Sequence, residues 1–201
     1  MTEPKPKVSC VIPFHWMENW SFFLTRCLKS IEEQSFTDYE IVVMKVGSMP
    51  VTSNAVIKAC KGEIIKVLYM DDYLAHQNSL KNIVNAFTGG WLVTGCEHDT
   101  GDGFRRNQHF PEWNDEVPKG TNTIGSPSVL AFANEEPLLF DERLSWLLDC
   151  ELYGRLYKRY GMPTILNDIN VVIGLHSGQM TQKLTREEKE AEGVYLLQKY
   201  G

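Results

Sequence analysis

Apolar residues follow two alternating rhythms along this chain, short β-branched clusters and longer stretches at helical spacing. Val8 to Ile12 forms the first cluster and predicts a strand, after which Trp20, Phe23, Leu24, Cys27, Leu28 and Ile31 recur at helical spacing. Glu40 to Val46 predicts a second strand, Thr52 to Lys61 a short helix capped by Thr52 or Ser53, and Glu63 to Met70 a third strand. The order β-α-β-α-β requires right-handed crossovers, so the expected fold is α/β, a mostly parallel central sheet flanked by helices. A helix over 78–87 stops at Gly89-Gly90, and Trp91 to Thr94 gives a fourth strand. Beyond them, Pro127 to Ala133 returns to strand, Leu144 to Tyr160 is helical until Gly161 and Pro163 end it, and Val171 to Leu175 is a last strand. Thr185 and Glu188 have the spacing of a capping box, opening a helix that runs to Tyr200.

Between these halves lies a segment, 97–128, rich in Gly, Pro, Asn, Asp and His and far longer than an ordinary connection. Loops of that length inside a compact domain are functional or disordered. Its Trp113 and Phe110 either anchor the loop to the core or offer aromatic faces to a sugar.

Composition narrows the function classes. With 201 residues and 43% apolar content, one domain with a sizeable core is expected. A formal net charge of -6 opposes wrapping of nucleic acid or of an anionic membrane, both held by clustered Lys and Arg. Five scattered cysteines without Cys-x-x-Cys spacing signal neither a disulfide framework nor a zinc site, and fit a reducing compartment. No apolar run approaches membrane-spanning length, so the expectation is a soluble, cytoplasmic protein, with peripheral membrane association left open.

The chemistry concentrates at the end of the third strand. Ile64, Ile65, Val67 and Leu68 lead directly to Asp71 and Asp72, placing two carboxylates at the edge where open α/β sheets bind ligands. Hard divalent cations take carboxylate oxygens and bound phosphate as ligands, which suits Asp71. Asp72 can hold water on such an ion, contact a ribose or cap the following helix.

Four blocks in order make the chain resemble the GT-A glycosyltransferases of the family 2 type, up to about Gln182. They are Val8 to His15, ending in Pro13-Phe14-His15; Glu40-Ile41-Val42-Val43 with Gly47-Ser48; Asn54, Ala59, Gly62-Glu63 and Asp71-Asp72; and Phe140-Asp141-Glu142, Asp149, Glu151-Leu152 and Arg155, with His176 downstream. The resemblance implies a single GT-A domain over 1–201, with a nucleotide-sugar and metal-binding half to about 96, an acceptor half over about 97–182 and a C-terminal helix over 183–201. It implies transfer of a hexosyl or related group from a nucleotide-diphosphate sugar to a carbohydrate or other hydroxyl acceptor, with inversion and a divalent cation, Mn2+ or Mg2+. Pro13, Phe14, His15, Glu18, Asn54, Asp71 and Asp72 are its implied donor-binding residues, Asp71 and His176 its metal ligands, and Asp149 its catalytic base. Read without the resemblance, His176 is a solvated loop histidine and Asp149 a first-turn helix carboxylate favoured by the macrodipole. Arg155, four residues after Glu151, reads as a structural helix pair.

The chain also departs from that pattern. Lys45 and Val46 stand where the family has an acidic pair, one member of which reads uracil, and a lysine cannot accept the base N–H. Thr52-Ser53-Asn54 replaces Ala-Arg-Asn, and Tyr69 replaces the first acid of Asp-x-Asp. These changes leave the sugar, base and acceptor undetermined, and keep a non-catalytic carbohydrate- or protein-binding module in play. A sugar-nucleotide pyrophosphorylase is disfavoured, because Pro13-Phe-His-Trp-Met-Glu18 lacks a glycine-rich phosphate loop.

Overall fold

Strand and helix alternate through the computed structural model, which describes residues 4–102 and 104–201. Strand β1 (Val8–Pro13) is buried at every position because two parallel neighbours, β2 (Tyr39–Met44) and β3 (Ile64–Val67), flank it. A strand covered on both faces needs an apolar run rather than alternation, which is the pattern its sequence carries. Helices α1 (Trp20–Glu32) and α2 (Met49–Ala59) make the two crossovers. Helix α2 starts earlier than its apolar pattern suggests, with Ser48 at the N-cap and Pro50 in the first turn, where a missing N–H costs nothing. Thr52 and Ser53 therefore do not cap it: Thr52 Oγ1 accepts the Gly47 N–H at 3.2 Å, and Ser53 Oγ donates to the Met49 carbonyl at 2.9 Å.

After β3 the chain forms β4 (Tyr73–Leu74), α3 (Ser79–Ala86), β5 (Trp91–Asp99) and β6 (Arg105–His109). Two 3-10 turns, Val117–Lys119 and Pro127–Val129, lead into β7 (Leu130–Ala133), then α4 (Leu148–Tyr160), β8 (Thr164–Gly174), α5 (Met180–Lys183) and α6 (Arg186–Tyr200). One eight-stranded sheet holds both halves, in the order β2-β1-β3-β7-β5-β8-β4, with β6 beside β5. Its three longest ladders, β1–β2, β1–β3 and β5–β8, are parallel, and the antiparallel pairings are shorter.

Strand β5 outruns its apolar stretch because β8 pairs with it as far as Asp99↔Gly174. Strand β8 likewise begins well before Val171, through polar residues that the sheet satisfies: Thr94 Oγ1 donates to the Asp168 carbonyl at 2.9 Å, and Asn170 Nδ2 donates to Thr94 Oγ1 at 2.8 Å. The long segment after residue 97 is thus partly sheet. Trp113 anchors the rest of it, stacked on Tyr157 at 4.3 Å and edge-on to the buried Trp91 at 5.8 Å. The capping box of α6 is present, with Thr185 Oγ1 accepting the Glu188 N–H and Glu188 accepting the Thr185 N–H. Among the described residues, no helix is long and apolar enough to cross a membrane.

Candidate functional site

A cleft of about 190 Å³ opens at the C-terminal ends of β1, β3 and β8. Each wall comes from a different element: His15 follows β1, Tyr69, Asp71 and Asp72 follow β3, His176 follows β8, Ser126 precedes β7, and Asp149 lies in the first turn of α4. Met180, Thr181 and Lys183 of α5 contribute further to the lining.

The two adjacent carboxylates point in different directions because the turn after β3 is clamped from both sides. The Asp72 N–H donates to the Tyr69 carbonyl at 2.9 Å, closing the turn, and Arg26 Nη2 from α1 donates to the Asp71 carbonyl at 2.6 Å. Arg26 is itself held by Asp99 at 2.8 Å and lies over the Tyr73 ring at 4.3 Å. Asp72 turns inward, only 3% exposed, and its Oδ1 accepts the Gly174 N–H at 2.9 Å. Burial first, and then the neighbouring Asp71 charge, raise its pKa. That hydrogen bond ties the turn to the end of β8, and the N-cap of α3 is Asn78, so Asp72 does not cap that helix.

Asp71 faces the cleft, where its Oδ2 meets His176 Nε2 at 2.9 Å. The Gly178 N–H donates to His176 Nδ1 at 3.1 Å, so the proton of the neutral ring sits on Nε2 and is given to Asp71. Phe23 backs the imidazole at 4.8 Å between ring centroids. His15 lines the same cleft with its Nδ1 buried and without a hydrogen-bond partner, and burial lowers its pKa. Tyr69 keeps its aromatic body in the wall and its hydroxyl buried without a partner.

Asp149 is 9% exposed and held at both oxygens. Its Oδ1 accepts the Cys150 N–H at 2.7 Å, and its Oδ2 accepts from Asn122 Nδ2 at 2.8 Å. Burial nevertheless raises its pKa to about 7. The entry to α4 has no side-chain cap of its own. Glu192 of α6 instead ties down the turn before the helix: its carboxylate accepts the N–H groups of Ser145, Trp146 and Leu147 at 2.7, 2.9 and 2.8 Å.

His15, Asp71, Asp72, Asp149 and His176 therefore converge on one cleft, whereas Pro13, Phe14, Glu18 and Asn54 do not line it. Pro13 and Phe14 are buried in and beside β1, and Glu18 is exposed. Asn54 spends its amide on the 140–142 loop, donating to the Phe140 carbonyl at 3.0 Å and to Glu142 at 2.9 Å and accepting the Phe140 N–H at 2.7 Å. Arg155 pairs with the buried Glu151, as a helix-internal pair should. Asn122, Glu192 and the cleft-lining Lys183 were not legible locally: Asn122 reaches Asp149 across 27 residues, and Glu192 reads as part of an acidic helix surface.

Among the described residues, no group of three or more His, Cys, Asp and Glu side chains is placed to hold a metal ion. Asp71 and His176 offer one oxygen and one nitrogen at the cleft, and the unpartnered His15 nitrogen borders it. Such a sparse set fits a hard cation that keeps water and takes phosphate oxygens from a substrate.

No family model and no curated protein matches the chain. Solved structures do. TarS 1–349 of S. aureus in complex with UDP-GlcNAc is 16% identical, with a TM-score of 0.71 over 94% of this chain and 65% of that one. TarS 1–349 in complex with UDP is 15% identical, TM-score 0.64, over 96% of this chain and 70% of that one. The mannosyltransferase PcManGT of Pyrobaculum calidifontis, in complex with GDP-Man and Mn2+, is 14% identical, TM-score 0.55, over 89% and 59% of the two chains. In two of the TarS 1–349 structures the chain spans 60% and 65% of the longer protein, less than two thirds of its length. The fold is thus that of a GT-A-type glycosyltransferase.

Proposed function

We propose that this chain is a glycosyltransferase that moves a sugar from a nucleotide-diphosphate donor to an acceptor hydroxyl with inversion. One observation carries the reading: Asp71, beside His176, and Asp149, with its raised pKa, stand on walls of a single cleft at the C-terminal edge of the sheet. Unrelated loops have no structural need to aim two carboxylates into one space, and burying Asp149 there opposes its ionisation. The similar structures with UDP-GlcNAc, UDP and GDP-Man support the donor class.

In this reading the acceptor oxygen attacks the anomeric carbon, that C–O bond forms as the bond to the diphosphate oxygen breaks, and the bonding pair leaves with the nucleotide diphosphate. Asp149 takes the acceptor proton, and a carboxylate with a pKa of about 7 is well matched to that transfer near neutrality. Asn122 holds one of its oxygens, which fixes the carboxylate plane. Asp71 and His176 would hold a divalent cation, which when bound stabilises charge on the departing phosphoryl oxygens as a Lewis acid. To ligate through Nε2, His176 must move its proton to Nδ1 and give up the Gly178 N–H. Lys183 brings an ammonium to the same wall and neutralises part of the diphosphate charge.

A panel of UDP- and GDP-sugars incubated with Mn2+ and read as release of nucleoside diphosphate tests this reading. At least one donor should be turned over in a metal-dependent way. A silent panel would instead favour the non-catalytic binding module.

A further inference from the structure

A second depression, of about 430 Å³, adjoins the cleft and shares Ser126 and Ile173 with it. It lies between the β5–β6 hairpin and the 122–126 loop. The link to the chemistry is Asn122, whose Nδ2 reaches Asp149 while its Oδ1 accepts the Ile124 and Gly125 N–H groups at 3.0 and 2.9 Å. Asp149 thus stands directly behind the wall of this groove.

The hairpin is shaped for the groove rather than for regular pairing. Register runs from Cys96↔His109 to His98↔Arg106, leaving one extra residue on β6, and Asn107 sits there at φ 55°. Asparagine tolerates that left-handed conformation better than most residues, and bulges of this kind re-aim side chains. A regular strand turns successive residues to opposite faces, yet Asn107, Gln108 and His109 all reach the groove. His98 donates through Nδ1 to the Asn107 carbonyl at 2.8 Å, which leaves its Nε2 as an acceptor.

The lining carries imidazoles, carboxamides and a hydroxyl, and none of it is carboxylate, ammonium or guanidinium. The charged side chains next to it are already paired, Arg105 with Glu97 at 3.4 Å and Arg106 with Asp102 at 2.6 Å. An anionic ligand would find no lysine or arginine in this lining, and the Asp149 carboxyl lies behind it. The carboxamides of Asn107 and Gln108 each offer a donor and an acceptor and His98 offers an acceptor, a set that suits hydroxyls, while Asn122 is spent on Asp149 and its own loop.

We propose that this groove is the acceptor subsite and that it takes an uncharged, polyhydroxylated acceptor, a neutral glycan whose terminal hydroxyl reaches Asp149 past Asn122 and Ser126. The acceptor role rests on the glycosyl-transfer reading above, whereas glycan binding in the groove does not.

Two measurements separate these. In the first, the side-chain amide signals of Asn107, Gln108 and Asn122 are followed by isotope-edited NMR, without nucleotide sugar, while maltotriose, cellotriose or chitotriose is added to ~10 mM, enough to saturate a site of ~1 mM Kd. At least one neutral trisaccharide should shift these signals, its uronate or phosphorylated counterpart should not, and Gln108→Trp should abolish the shifts. In the second, nucleotide release is measured with each saccharide. Gln108→Trp and His98→Ala should keep release into water within about twofold of the parent and lose saccharide-stimulated release by about tenfold or more. Amide shifts without nucleotide release from any donor would end the acceptor role and leave a glycan-binding groove. Failure of every neutral saccharide to shift the signals, or equal binding of the anionic ones, would overturn the proposal.

Discussion

Asp149 is where burial and reactivity meet in one side chain. A carboxyl with two hydrogen bonds to its oxygens would ordinarily ionise easily, yet desolvation outweighs both bonds and holds its pKa up at about 7. A base must be deprotonated to act, so kcat/KM should be low under acid conditions, rise as pH passes through about 7 and level off above it. Asp149→Asn keeps the size, gives up one of the two accepted hydrogen bonds and cannot take a proton. It should lower transfer by roughly 100- to 10,000-fold while leaving the donor dissociation constant nearly unchanged, as measured by calorimetry. Asp71→Asn should separate from it cleanly: donor affinity in Mn2+ should fall by about tenfold or more, while affinity in chelator should barely move. A metal-independent effect of equal size would remove Asp71 from the role of ligand.

At the scale of elements, the carboxylate of Glu192 holds the turn that leads into α4, whose N-cap residue Leu147 brings no side-chain acceptor of its own. Three backbone N–H groups converge on it, and its negative charge also helps to keep the proton on Asp149. Glu192→Gln retains the shape, removes the charge and leaves fewer acceptors than three donors need. Stability measured by urea unfolding should drop by about 1–3 kcal/mol, and the rising limb of the pH–rate profile should shift to lower pH. A purely structural role would give the first change without the second. This long-range contact also marks the boundary of what the sequence revealed. The strands β1 and β3, the helices α1 and α6 and the turn carrying Asp71 announce themselves through local apolar spacing or a capping box, because their partners lie on both faces or within one turn. Strand β6 and the part of β8 before Val171 do not, since their polar residues are satisfied by neighbours far along the chain, as Asn170 is by Thr94. Asn54 misleads for the opposite reason: a buried amide that pins the 140–142 loop carries the same letter as one that touches a donor.

In the whole molecule, the end of β8 joins the two halves of the site. Gly174 pairs with Asp99, gives its N–H to Asp72 and lies two residues before His176, so one backbone segment sets the distance between the turn after β3 and the imidazole. Its lack of a side chain is what permits this approach. A Cβ at Gly174 would stand 2.2 Å from the Asp71 carbonyl oxygen and 2.7 Å from Arg26 Nη2, and the first of these is backbone that cannot rotate away. Gly174→Ala must therefore displace the turn, Arg26 or the end of β8, while the β5–β8 ladder from Leu92↔Thr164 onward remains to hold the fold. We expect near-native far-UV circular dichroism with loss of metal-dependent donor binding comparable to that of Asp71→Asn. Gly193 in α6 is the matched control: nothing lies within 4 Å of its added Cβ, so Gly193→Ala should stabilise the helix by about 0.5–1 kcal/mol and leave donor binding unchanged. If Gly174→Ala binds donor as the parent does, the turn and the end of β8 move independently, and the site is not built by their contact.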